Sequence, residues 1–269
     1  MEDTEVAQNT LFDLTGDVAI ITGASRGLGL SHARALANAG ADLVITARSV
    51  ESLKPIREEI QQKTGRTVLA LPLDVCNYDS IRKMVEDAHA AFGKIDILIN
   101  NAGRNLRKPS LEITWDDWDA VLDTNLKGSF FVAQAAAEKM KERSYGRIVN
   151  TGSATCMFGY AGVVPYCASR GGIKQMTMGL ADDWAPYGIN VNCLAPGWFI
   201  TEQNKLLFED REWVEGLQAR IPQRRIGIAG DLDGAVVFLS SRACDYLTGQ
   251  TIFVDGGYTS GSIKAMGKK

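Results

Sequence analysis

The sequence predicts an α/β fold: one doubly wound parallel sheet of about seven strands with helices on both faces. Three observations carry this. Short β-branched runs alternate with amphipathic stretches of helical length, and the runs are almost wholly apolar, as strands covered on both faces must be. No Pro/Ser-rich linker, repeat or low-complexity tract divides the 269 residues. Strict strand-helix alternation then requires right-handed crossovers and parallel pairing.

The strands are expected at 18–22, 42–47, 68–72, 95–100, 147–151, 190–195 and 250–254. Helices are expected at 28–39, 51–63, 78–92, 114–143, 166–184 and 231–240. The helix over 114–143 exceeds the usual length and carries Phe130, Phe131 and Val132 near its middle. That reads as packing against a partner chain in a homo-oligomer. The charged and aromatic segment 197–230 follows the sixth strand, where open α/β sheets bind ligands, and reads as a lid or substrate loop. One domain over 14–258 is expected, between an N-terminal extension, 1–13, and a C-terminal tail, 259–269.

Composition narrows the function. With 29 Lys and Arg against 32 Asp and Glu, the net charge is −3 and no basic stripe offers itself to nucleic acid. Apolar runs fall short of the roughly 18 residues a membrane helix needs. The acidic start, Met1-Glu2-Asp3-Thr4-Glu5, is unlike a signal peptide, so a cytoplasmic protein is expected. Five scattered cysteines read as reduced thiols, and Cys156 and Cys167, near the site below, as small apolar residues. Only His32 and His89 are present, without a His/Cys cluster, so no metal site is expected.

The first strand runs into Thr22-Gly23-Ala24-Ser25-Arg26-Gly27-Leu28-Gly29 and then a helix. Gly23 permits a tight turn, while Gly27 and Gly29 remove side chains where backbone approaches a pyrophosphate and helix packs on strand. The helix N-terminus adds free N–H groups and partial positive charge. This is a Rossmann-type nucleotide turn.

With its T-G-x-x-x-G-x-G spacing the chain resembles the short-chain dehydrogenase/reductase family, from Leu14 to Tyr258. The resemblance also rests on Leu73-Asp74-Val75, Asn100-Asn101-Ala102-Gly103, Asn125, Ser153, Tyr166, Pro196-Gly197 and Asp255-Gly256-Gly257. It implies a nicotinamide cofactor held by Gly23, Ser25, Arg26, Gly27, Leu28 and Gly29. Asp74 and Val75 would lie at the adenine, Asn101, Ala102 and Gly103 beside the ribose, and Pro196, Gly197, Phe199 and Thr201 beyond the sixth strand. An acidic residue ending the second strand would select NAD; here stand Thr46-Ala47-Arg48, and Arg48 with Arg26 suits a 2′-phosphate. NADP(H) is therefore expected to be preferred, with NAD(H) possible.

Reducing a ketone needs a proton donor at oxygen and a fixed hydrogen bond to hold it. Tyr166 is the expected acid/base, and Ser153 the positioning donor. In the family a lysine four residues after the tyrosine supplies a cation and binds the ribose; here Arg170 stands there. The resemblance implies that the Asn125 position holds a water in a proton path. The substrate pocket is expected from 104–109, 154–164 and 198–221, with Arg104, Arg107, Tyr160 and Trp198 beside Ser153 and Tyr166.

The basic loop 104–108 suits a polar keto acid or sugar-derived ketone, and with 14–17 and 196–202 it is most similar to the gluconate 5-dehydrogenase-like branch. Met157, Phe158, Tyr160, Val163 and Val164 leave open a reductase of hydrophobic ketones. Ser153-Tyr166-Arg170 also resembles the triad of halohydrin dehalogenases, although those lack the glycine turn. A cofactor-binding sensor without chemistry is a further alternative.

Overall fold

The computed structural model describes residues 11–202 and 204–260. The strands are β1 (Val18–Ile21), β2 (Asp42–Ala47), β3 (Val68–Pro72), β4 (Ile97–Asn100), β5 (Gly146–Thr151), β6 (Ile189–Pro196) and β7 (Thr251–Val254). The helices are α1 (Gly27–Asn38), α2 (Lys54–Thr64), α3 (Tyr78–Phe92), α4 (Trp115–Leu122), α5 (Gly128–Lys141), α6 (Val164–Trp184), α7 (Arg211–Arg220) and α8 (Asp233–Ser240). All strands pair in parallel in the order β3-β2-β1-β4-β5-β6-β7. Chain order reverses between β1 and β4, which opens a crevice at their carboxyl ends.

Period-two alternation explains the two-sided core. Ala19 and Ile21 join Ala33, Leu36, Ile56, Ile60, Val236 and Leu239 of α1, α2 and α8. Val18 and Ile20 point the other way, to Met84 and Val85 of α3, Ala136 and Met140 of α5 and Leu180 of α6. Each fully buried Ile or Leu here contributes about 1.5–3 kcal/mol, so both faces need a helical cover.

The helix expected over 114–143 forms, running from Trp115 to Lys141, but it is not regular along its length. A Thr114/Asp117 capping box starts α4, a π-helical turn at Asp123–Lys127 follows, and α5 ends at Lys141. The turn carries Asn125, whose carbonyl accepts from Ser129 Oγ at 2.8 Å. The middle of this stretch serves its own subunit: Val132, Ala133 and Ala135–Ala137 are buried, and Phe130 and Phe131 pack partly on the same core. The surface left open lies earlier, at Trp115 and Trp118 of α4.

Of the expected extension, Leu11 accepts from the Ala243 N–H (3.2 Å) and Phe12 packs on Phe238 of α8. At the other end Thr259 and Ser260 bond back to Asp255 and Gly257. Residues 1–10 and 261–269 lie outside the described residues. Among the described residues no helix is long and apolar enough to cross a membrane, and no group of three or more His, Cys, Asp or Glu could hold a metal.

His32 on α1 is fully buried with neither ring nitrogen hydrogen-bonded, and burial lowers its pKa from 6.5 to about 4. Because the folded value lies below the unfolded one, the unfolded chain takes up the extra proton as pH falls through 6.5. Stability is therefore expected to decline towards pH 4, by about 3 kcal/mol in total. Asp17 works the other way, since burial, with help from Asp96, raises its carboxyl to about 6. The measurement is thus a difference: urea unfolding of wild type and His32→Leu between pH 7 and 4. The variant should lack the acid slope that His32 adds, and parallel curves would refute this account.

Candidate active site

The glycine turn leaves β1 and enters α1 under tension from β4. Gly23 has φ +68°, and a side chain there would meet the Ala102 backbone at 3.1 Å. One on Gly29 would collide with the Gly23 carbonyl and the Asn101 amide. Thr22, fully buried, is the hub: its Oγ1 accepts from the N–H groups of Asn101 and Ala102, each at 2.9 Å. The Asn101 amide donates to the carbonyls of Thr22 (3.0 Å) and Gly23 (3.3 Å). Asn101, expected beside a ribose, thus spends its side chain on shaping the turn.

No side chain caps the start of α1, so its first N–H groups face the crevice open, as an anion site requires. Across from them the empty side of Gly27 faces the Thr201 side chain at 3.9 Å. Ser25 and Leu28 are half-buried in the turn, and Arg26 and Arg48 are exposed at its mouth. Glu202, whose carboxyl is lowered first by Lys205 and more weakly by Arg26, stands nearby.

Asp74 is exposed, and its carboxylate accepts from the Cys76 N–H at 3.0 Å, while Val75 packs in the core. The Phe199 ring is buried against Gly227, so only its backbone can line the crevice. Pro196 ends β6, and Gly197 lies so close to Asp255 that a side chain would not fit.

At the carboxyl end of β5 the catalytic candidates converge. Ser153 follows the strand and accepts from the Thr155 N–H at 3.2 Å. Tyr166 sits half-buried in the first turn of α6. One turn on, Arg170 is only 5% exposed; it donates to the Thr151 carbonyl at 2.6 Å and lies over the Tyr166 ring, 5.0 Å from its centroid. A side chain on Gly103 would stand 2.6 Å from an Arg170 nitrogen, so glycine there makes room for the larger cation. The Arg170 Nε is buried without a partner. Lys174 reaches instead towards the Met157 sulfur.

Asn125 is fully buried in the π-helical turn. Its Oδ1 accepts from the Arg104 N–H (2.8 Å), and its Nδ2 donates to the Arg104 carbonyl (2.9 Å) and Ser169 Oγ (3.0 Å). With both amide hydrogens committed, this side chain fixes the 104–108 loop to α6. Ser169, which donates to the Tyr166 carbonyl at 2.8 Å, was not singled out from sequence, nor was Thr22 as a hub. A lone Ser or Thr carries no signal until its partners are known.

The substrate-end residues assemble on aromatic contacts. Arg107 lies over Tyr160 (5.5 Å), which meets Trp198 edge-on at 5.7 Å. Trp198 in turn contacts Trp213 and Tyr258. These walls, with Leu217, Arg220, Asp210 and Glu212, border a cavity of about 460 Å³. Of the loop's three cations Lys108 is taken by Asp117 at 2.7 Å, while Arg104 and Arg107 stay exposed. Trp213 and Arg220 fall within the expected pocket segment 198–221, whereas Tyr258 lies outside all three expected segments.

A glycine-cradled helix start at the switch point beside a serine, a tyrosine and a buried cation defines a dinucleotide-dependent α/β oxidoreductase. The family described as "Enoyl-(Acyl carrier protein) reductase" matches residues 23–259. Gluconate 5-dehydrogenase of Gluconobacter oxydans (strain 621H) is 42% identical over 93% of this chain and 97% of its own. The 2-dehydro-3-deoxy-D-gluconate 5-dehydrogenase of Escherichia coli K12 is 41% identical over 92% and 97%. Among solved structures, a gluconate 5-dehydrogenase from Burkholderia cenocepacia J2315, in complex with NADP and tartrate, superposes with a TM-score of 0.91. It is 41% identical, over 94% of this chain and 98% of that one. The chain belongs to the short-chain dehydrogenase/reductase family. Relatives of this kind set aside the dehalogenase reading.

Proposed function

We propose that the protein interconverts a secondary alcohol and a ketone of a sugar acid, with NADP(H) preferred. The observation that carries the proposal is the buried Arg170 guanidinium, wedged between the Thr151 carbonyl, Gly103 and the Tyr166 ring. A cation in that position braces the ring and places positive charge beside the site where charge develops during reduction. When bound in the glycine-cradled crevice, the dihydronicotinamide supplies the hydride.

Ser153 Oγ holds the substrate oxygen, and Tyr166 Oη gives it a proton as the carbonyl is reduced, or takes one in the reverse direction. Arg170 keeps the phenol ring in place and supplies positive charge. Asn125 holds the 104–108 loop at the pocket. Gly23, Ser25, Leu28 and Gly29 form the pyrophosphate cradle, while Arg26 and Arg48 reach a 2′-phosphate. Arg104 and Arg107 are the free cations for a carboxylate, and Tyr160 and Trp198 offer flat faces to the carbon chain. The segment 197–230, with α7, closes over the substrate.

A substrate panel followed by nicotinamide absorbance tests this. Turnover of keto-aldonates is expected, with kcat/KM for NADP(H) exceeding that for NAD(H) by roughly tenfold, a typical return from charge-assisted phosphate bonds. Equal or better use of NAD(H) would overturn the cofactor preference. The aromatic border of the cavity favours a second reading, a reductase of hydrophobic ketones; exclusive turnover of such ketones would establish it in place of the first.

We assign the protein to the cytoplasm, the compartment that suits five cysteines free of disulfides, and to a homo-oligomer, dimer or tetramer, joined through the Trp115 and Trp118 face of α4. A monomeric mass by light scattering would contradict the assembly.

A further inference from the structure

We propose that Cys156 and Cys193 form a peroxide-oxidisable dithiol directly behind Ser153, a covalent modification site whose closure as a disulfide distorts the catalytic turn. The two residues are 37 positions apart in sequence, yet their sulfurs share one pocket beside Gly152. A methyl group on Gly152 would stand 2.5 Å from the Cys193 sulfur and 3.1 Å from that of Cys156.

The pair is unsymmetrical. Cys193 is fully buried on β6, among Ile173 and Ala195, whereas Cys156 is half-buried in the helical turn Ala154–Cys156 that follows Ser153. The adjacent Cys193 side chain, with the Ser153 backbone and the Arg170 and Lys174 charges, brings Cys156 down to about 7. The neighbouring Cys156 side chain, together with burial, pushes Cys193 up. One thiol is thus the better nucleophile and reachable; the other is held in reserve.

The chemistry balances with hydrogen peroxide as oxidant. The Cys156 thiolate attacks one peroxide oxygen, the O–O bond breaks and hydroxide leaves, giving a sulfenic acid. The Cys193 sulfur then attacks the sulfenic sulfur; the S–S bond forms, the S–O bond breaks and water leaves. Two electrons from the dithiol reduce one peroxide to two waters.

Coupling to the site runs through three contacts. The Cys156 N–H donates to the Ser153 carbonyl at 2.9 Å, and its thiol donates to the Arg170 carbonyl at 3.1 Å. The Ser153 hydroxyl accepts from Thr155 within the same turn. Drawing the sulfurs to a bond of about 2.0 Å pulls this turn towards β6 and removes its bond to α6. Displacement of a positioning hydroxyl by about 1 Å can cost on the order of a hundredfold in turnover.

In the test, the full-length enzyme is treated with hydrogen peroxide, free thiols are blocked with N-ethylmaleimide, and peptides and NADPH-dependent turnover are followed with and without dithiothreitol. A Cys156–Cys193 cross-link is expected, with turnover falling on the order of a hundredfold and returning on reduction. Cys193→Ser should keep its untreated turnover, form no cross-link and, under excess peroxide, suffer a loss that dithiothreitol does not reverse, because the uncaptured sulfenic acid takes an oxygen from a second peroxide, which leaves as water, and becomes a sulfinic acid. The proposal is overturned if both cysteines are alkylated after doses that oxidise the exposed Cys76. It is equally overturned if the Cys156→Ser/Cys193→Ser double variant shows the same reversible loss. Peptide mapping of unaltered protein needs neither a variant nor a known ketone, so its outcome is separate from that of the proposed function.

Discussion

Tyr166→Phe is expected to lower kcat by about 10²–10⁴-fold, the span associated with one positioned proton donor, and to leave NADPH binding unchanged. The variant removes a single oxygen. The ring remains half-buried under the Arg170 guanidinium, and the main chain of Tyr166 still accepts from Ser169 Oγ at 2.8 Å. Since fold and cradle persist, the loss should appear in kcat and not in the dissociation constant of NADPH, which fluorescence quenching reads directly. Retention of more than roughly a tenth of wild-type kcat would remove Tyr166 from the proton path.

Arg170 gives the second large effect, and the direction depends on the replacement. Arg170→Met removes the cation and leaves the Thr151 carbonyl, 6% exposed with its residue, without its 2.6 Å donor. A buried acceptor so abandoned costs about 1–3 kcal/mol of stability, and loss of the charge beside the phenol should reduce kcat by at least about a hundredfold. Arg170→Lys keeps a cation and a donor on a slimmer stem, and relieves the close approach to Gly103. Its activity should equal or exceed that of the parent. Near-total loss in the lysine variant, with the thermal midpoint unchanged, would show that the guanidinium performs a task an ammonium cannot, contrary to the reading of Arg170 as a substitute cation.

The folding pattern was legible because its signals are local. Each strand from β1 to β7 falls within two residues of its expected bounds, since strands covered by helices are mostly apolar along their length. The glycine turn was legible for a related reason: Gly23 and Gly29 are demanded by crowding within one short stretch. The π-helical turn within the long helix was not, because Asn125 is held there by bonds to Arg104 and Ser169, residues that helical periodicity does not see. The assignment of Asn101 to a ribose missed Thr22 and Gly23 as partners for the same reason.

Sequence by itself determined the seven strands, the nucleotide turn and the chemical identities of serine, tyrosine and arginine, since these follow from residue type and spacing along one chain. Only the tertiary structure decided the sheet order that opens the crevice between β1 and β4, the seat of Arg170 over the Tyr166 ring, and the meeting of Cys156 with Cys193 behind Ser153. These depend on which distant segments share space, and close packing, not local pattern, selects that.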